Sequence, residues 1–207
     1  MKKDKLAIFL SKLKKIESPK FWLEQYYLSS ELAAEILNIA YLNNDIKNKE
    51  ILDLGCGNGI LAIGASKLGA KLCIGVDIDK DAIRVAKENS KELNNVFFVV
   101  IDIKNFFLKR KVDTIIQNPP FGLKSIRHMD RMFLEKAFSL SNKVYSLHRN
   151  GYKKTINFLE NFAKKFGFDV EGSIKFKLDL FKIFPFHKSH KKKIEVRLYI
   201  FKKFNEI

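Results

Sequence analysis

The segment that most limits the possible folds is Ile51-Leu52-Asp53-Leu54-Gly55-Cys56-Gly57-Asn58-Gly59, an apolar run that breaks into glycine at every second position. A helical pattern follows over residues 59–68. A strand turning this abruptly into a helix opens a βαβ unit, and the glycines permit both the tight turn and close approach of a ligand to the backbone. The middle of the chain repeats the theme. Apolar runs at 51–54, 72–76, 96–101, 112–117 and 143–147 alternate with helical patterns at 59–68, 80–93, 128–140 and 151–166. Unbroken apolar strands between helices are buried on both faces, so the prediction is an α/β fold built on a doubly wound parallel sheet.

Upstream, Leu6, Phe9, Leu10 and Leu13 lie at helical spacing within residues 3–16, closed by Pro19, and a second helix is predicted with Ser30 as N-cap and Glu31 in its first turn. Two strands, about 168–177 and 194–203, are expected to close the chain around a Lys- and aromatic-rich loop. A length of 207 residues suits one domain. Its parts would be a helical extension at 1–45, a core at 46–150 that binds the ligand and carries the chemistry, and a basic part at 151–207 that completes the sheet.

The glycine loop differs from a dinucleotide fingerprint. Its spacing is Gly-x-Gly-x-Gly, and Asp53 precedes the first glycine by two residues. A carboxylate there disfavours a pyrophosphate and suits a cationic ligand. Asp77 closes the second strand, 18 residues past Gly59, where it can accept both hydroxyl hydrogens of a ribose. Asp102, after the third strand, is placed to meet an adenine edge, with Ile78 and Ile103 as apolar neighbours. Asp79 reads instead as a helix cap.

The fourth strand ends in Asn118-Pro119-Pro120-Phe121-Gly122. An exocyclic aromatic amine is a poor nucleophile because its lone pair is delocalised into the ring. Acceptors that hold its hydrogens favour the state whose lone pair points at an incoming methyl group. The Asn118 side-chain oxygen and the Pro119 carbonyl can each accept one N–H and stabilise the charge developing on nitrogen, while Phe121 stacks on the base. Pro119 and Pro120 restrict the backbone and add no competing N–H.

A net charge of +16 is far beyond what solubility requires, and the excess sits at the ends: +5 over residues 1–20 and +8 over 151–207. A polyanionic partner follows, nucleic acid first. Cys56 and Cys73 are the only cysteines and form no metal spacing, so neither a disulfide framework nor a metal site is expected, and a reducing cytoplasmic setting fits. His187 and His190 can be read as a metal pair. Their surroundings of Phe184, Phe186 and Lys188–Lys193 favour RNA contact, with His187, Lys188, Lys191, Lys192 and Lys193 as the RNA-binding set.

These blocks together resemble the class I methyltransferases of the methyltransferase-like 5 type, which methylate adenine N6 in small-subunit ribosomal RNA. The resemblance runs over nearly the whole chain. Its pieces are Leu23-Glu24-Gln25-Tyr26, Asp53–Gly59, Gly75-Val76-Asp77-Ile78-Asp79, Asn118–Gly122, Val144-Tyr145-Ser146-Leu147-His148, Phe186-His187-Lys188 and Lys191-Lys192-Lys193. It implies a Rossmann-like sheet of seven strands, one of them antiparallel, and S-adenosylmethionine as methyl donor. It also implies Asn118, Pro119 and Phe121 at the target base and Gln25 in the cofactor pocket. The family pattern continues with Pro-Thr where this chain has Tyr27-Leu28, so that threonine's cofactor contact does not carry over; Ser29 or Ser30 is the substitute to look for. A protein glutamine or a DNA adenine poses the same lone-pair problem, and a non-catalytic RNA-binding protein can share the fold.

Val96-Phe97-Phe98-Val99-Val100 is an apolar strand expected at a sheet edge, with no charge or proline to discourage pairing. Helices on both faces would bury its side chains but not its outer backbone groups. Eukaryotic members of the resembling family act with a small zinc-binding activator, and the resemblance implies such a protein beside residues 96–100.

Overall fold

The computed structural model describes residues 1–121, 129–150, 153–181 and 191–204. In chain order the elements are α1 (Lys3–Ser11), α2 (Ser30–Leu42), β1 (Glu50–Leu54), α3 (Ile60–Lys67), β2 (Leu72–Asp77), α4 (Lys80–Asn89), β3 (Val96–Val100), β4 (Thr114–Gln117), α5 (Met129–Leu140), β5 (Lys143–Arg149), α6 (Lys153–Lys165), β6 (Phe168–Phe181) and β7 (Lys191–Lys203). Single 3-10 turns lie at Phe21–Leu23 and Ile103–Asn105. The strands form one seven-stranded sheet in the order β3-β2-β1-β4-β5-β7-β6, parallel except that β7 runs against both neighbours.

β1 is buried along its whole length because apolar layers cover both faces. On one side Leu6 and Leu10 of α1, Ile36 and Leu37 of α2, Ile63 of α3 and Ile83 of α4 form a continuous core with the sheet. On the other, Phe133, Leu134 and Phe138 of α5 and Leu159 and Ala163 of α6 pack on Leu52, Leu54, Val144 and Phe201. Gly64 lets α3 lie directly on α2, since a Cβ there would stand 2.3 Å from Leu37 Cδ1.

Several boundaries differ from those read in the sequence. Helix α1 stops at Ser11, not 16. The Lys14 amide donates to Asn89 Oδ1 at 2.8 Å, and the Asn58 and Asn89 side chains donate to the Lys14 carbonyl, so tertiary bonds replace helical ones. The cap of α2 is Ser29, not Ser30; its Oγ accepts the Leu32 N–H at 3.2 Å.

The largest difference is at the C-terminus. Lys191, Lys192 and Lys193, expected in a loop, lie in β7 and pair with Phe181, Leu180 and Asp179. Pairing of β7 with β5 ends at Arg149 opposite Val196, so residues 191–195 of β7 continue with β6 alone as a two-stranded ribbon. At 3.4 Å per residue the ribbon runs roughly 17 Å past β5. Because β5 is parallel to β4, the ribbon projects from the carboxyl end of the sheet, where β4 runs into Asn118.

β3 is the edge strand expected, but the helices do not bury both its faces. Val96 and Phe98 point inward, whereas Phe97, Val99 and Val100 are 55%, 43% and 49% exposed. Among the described residues no helix is long and apolar enough to cross a membrane, and no cluster of His, Cys, Asp or Glu could hold a metal ion.

Candidate active site

The carboxyl ends of β1, β2 and β4 converge on one cavity, walled also by the segment 22–28, by Ile101–Lys104 and by residues of α5. The glycine loop turns through positive φ at Gly57 (55°) and Gly59 (83°), values that side-chain-bearing residues rarely adopt. A Cβ at Gly57 would meet nothing within 4 Å, so that part of the loop faces open space. Four of the loop's N–H groups are already engaged. Those of Gly55 and Cys56 donate to the Val76 carbonyl, that of Gly57 to Asp77 Oδ2 at 2.9 Å, and that of Gly59 to the Cys56 carbonyl. Those four amides are turned to the protein and not to a ligand.

Asp77 ends β2 with both carboxylate oxygens accepting backbone N–H groups, Gly57 on Oδ2 and Asp79 on Oδ1. Each oxygen keeps a lone pair for a further donor. Burial pushes its pKa upward, more than those amide bonds lower it. Asp53 is more extreme. It is buried, Oδ2 accepts a long bond from the Ala62 N–H (3.3 Å), Oδ1 has no partner among the described residues, and desolvation raises its pKa to about 8. A cation entering the cavity would relieve both carboxyls, so the donor set fits a positively charged nucleoside ligand.

Asp102 caps the 3-10 turn through the Lys104 N–H at 2.9 Å and also lines the cavity, beside Ile103 and the exposed Ile78. Asp79 is the cap of α4, accepting the Asp81 N–H. Gln25 lines the cavity, but its polar atoms are engaged in the wall: Oε1 accepts the Lys20 N–H at 2.6 Å and Nε2 donates to Asp79 Oδ2 at 2.8 Å. Lys20 adds ion pairs to Asp79 and Asp81. Ser29 and Ser30 do not reach the cavity, since Tyr27 and Leu28 occupy the wall there.

Asn118, Pro119, Pro120 and Phe121 all line the cavity. The Asn118 Oδ1 is buried with no partner among the described residues, an acceptor held in readiness. Behind it, Gln117 Nε2 donates to Ser146 Oγ at 2.9 Å, and Ser146 Oγ lies 2.8 Å from His148 Nε2. Burial lowers the His148 pKa to about 4, so the ring is neutral and shares one hydrogen with the Ser146 hydroxyl. This histidine lies outside the cavity and belongs to the scaffold of β4. Gly122, His187, His190 and Lys188 fall outside the described residues.

Sequence reasoning missed most of the wall contributed by Trp22, Tyr27, Met132, Phe133 and Leu178. Apolar residues of this kind carry no spacing that marks them as ligand contacts.

The strand order with β7 reversed, together with carboxylates at the ends of β1 and β2, is the architecture of class I methyltransferases. A family model for ribosomal protein L11 methyltransferases matches residues 33–119. The narrower kinship comes from full-length relatives. The chain is 37% identical to the rRNA N6-adenosine-methyltransferase METTL5 of Danio rerio over 96% of both chains. It is 35% identical to Mettl5 of Drosophila melanogaster, over 97% of this chain and 96% of that one. A crystal structure from Pyrococcus horikoshii, described as that of a candidate RNA methyltransferase, superposes with TM-score 0.92 at 40% identity, over 99% of each chain. The protein belongs to the METTL5 family of rRNA N6-adenosine methyltransferases.

Proposed function

We propose that this protein transfers a methyl group from S-adenosylmethionine to N6 of an adenine in ribosomal RNA, and that the target lies in the small subunit. Family membership supports the reaction. The observation that carries it on this chain is the buried, unpartnered Asn118 Oδ1 on the wall shared with Asp53 and Asp77. S-adenosylmethionine supplies a methyl group bonded to a cationic sulfur. Asp53, Gly55 and Gly57 would hold its charged end, Asp77 its ribose, and Asp102 with Ile78 and Ile103 its adenine, while Gln25 acts through the wall it fastens; Gly59, expected among these contacts, does not line the cavity and instead lets the loop pack on Phe98 and Ala86. Asn118 Oδ1 and the Pro119 carbonyl accept the two amine hydrogens of the target, and Phe121 stacks on its ring. Removing hydrogen-bonding freedom from the amine directs its lone pair outward.

The ribbon of β6 and β7 favours RNA over a protein amide, because it carries Lys191, Lys192 and Lys193 on the catalytic end of the sheet. The same cytoplasmic enzyme would take a small zinc-binding activator on β3. Support for that partner is the exposure of Phe97, Val99 and Val100 on an edge whose outer backbone row has no neighbouring strand among the described residues.

The test is methyl transfer to small-subunit ribosomal RNA with mapping of N6-methyladenine, beside Asn118→Ala as control. The variant should bind S-adenosylmethionine normally and turn over roughly 10²- to 10³-fold more slowly, the loss for one preorganised acceptor. Wild-type turnover in Asn118→Ala, or methyl transfer to protein alone, would sink the assignment.

A further inference from the structure

Trp22 is the sole tryptophan of the chain, and the assignments above place it in the cavity wall without giving it a ligand. It sits in the 3-10 turn Phe21–Leu23, lines the cavity that holds Asn118 and Phe121, and still exposes 62% of its surface. An indole with both properties stands at the rim. The turn beneath it is fastened from both sides. Gln25 bridges the Lys20 amide and Asp79, Lys20 pairs with Asp79 and Asp81, and the Tyr27 hydroxyl donates to the Ile16 carbonyl. Glu24 adopts a left-handed conformation (φ 51°, ψ 40°) that reverses the chain immediately after the turn. The backbone that carries the ring is therefore placed before any ligand arrives, so little of it remains to be ordered on binding.

Access to adenine N6 requires the target base to leave its stack, and departure exposes a face of each neighbouring base. An aromatic side chain at the rim can replace the lost stacking, whereas a polar rim cannot. We propose that Trp22 is the stacking platform for a nucleobase flanking the target adenine, with the target itself inside the cavity on Phe121. The proposal rests on the RNA methyltransferase reading. Because every base has a π-face, the platform contributes affinity and register, not sequence choice.

The experiment compares wild type, Trp22→Ala and Trp22→Phe on a transcript of small-subunit ribosomal RNA, with S-adenosylmethionine affinity measured separately by calorimetry. Trp22→Ala should raise KM for the RNA by about 10- to 100-fold with kcat little changed. Trp22→Phe should recover most of the loss, and cofactor affinity should be the same in all three. As the only indole, Trp22 should also lose fluorescence when the transcript is added to the wild-type protein. An unchanged KM in Trp22→Ala would overturn the proposal. So would a fall in cofactor affinity as large as the rise in KM, which would make the ring a cover for the cofactor. Absence of N6-methyladenine with wild type would instead remove the reading underneath, and the platform with it.

Discussion

Replacing Asp53 with Asn should make the cofactor-free protein more stable and the enzyme worse. In the native state burial raises the Asp53 carboxyl to about 8, against an ordinary value of 3.8. Between those two values the unfolded chain gives up the proton and the native state keeps it. The native state then binds more protons, so stability falls as pH rises, by about 1.4 kcal/mol per pH unit, and levels off above the native pKa. Its contribution is intact below pH 3.8 and lost by about pH 8. At pH 7 the accumulated cost is on the order of 4 kcal/mol. Asn keeps an oxygen for the Ala62 N–H, places an amide where Oδ1 has no partner, and carries no charge. The assay is thermal or denaturant unfolding of both proteins from pH 5 to 8. The stability difference should grow with pH in favour of Asn, each kcal/mol appearing as roughly 2–4 °C in Tm for a chain of this size. Asp77, also raised by burial, slopes both curves alike and cancels in the difference. The variant should bind S-adenosylmethionine more weakly, and wild type should release a proton on binding, seen as calorimetric heats that depend on buffer ionisation. A pH-independent stability difference would refute the argument, because it would mean that Asp53 is ionised throughout.

Asp77→Asn keeps one acceptor for the loop amides, so it should lower cofactor affinity more than it lowers Tm; equal affinity by calorimetry would remove the ribose role. Neutralising Lys191, Lys192 and Lys193 together should weaken RNA binding and flatten its dependence on salt by up to about three counterions, with cofactor binding unaffected. An unaltered salt slope would leave these lysines as solvated surface only. Hydrogen exchange at residues 96–100 should slow when an activator is present, and full activity of the chain alone, with no partner-dependent protection there, would dismiss the activator.

What the sequence revealed and what it hid follow one physical division. The glycine loop, the carboxylates at strand ends and Asn118–Phe121 were legible because their chemistry depends on residue type at short spacing. The sheet was legible because burial on both faces imposes apolar runs. Helix α1 was read five residues too long because its end is set by Asn58 and Asn89, distant in sequence and carrying no local signal. Lys191–Lys193 look like loop because a lysine run suggests solvent, yet pairing with residues 179–181 holds them in a strand. Gln25 lines the cavity, but its bonds to Lys20 and Asp79 give it a fastening duty that no spacing could reveal.

Phe98 belongs to the outermost strand, yet its ring props the cofactor loop. A methyl group at Gly59 or Gly75 would come within 2.6 Å or 2.4 Å of it. On that side the loop has no slack of its own and inherits the fraying of the edge. Edge strands open locally at free energies well below that of global unfolding. Each opening of β3 withdraws the prop, so the grip on the cofactor should fade with warming before the sheet melts. Thermal loss of cofactor affinity should thus begin at the margin of the sheet, in a strand that lines none of the cavity.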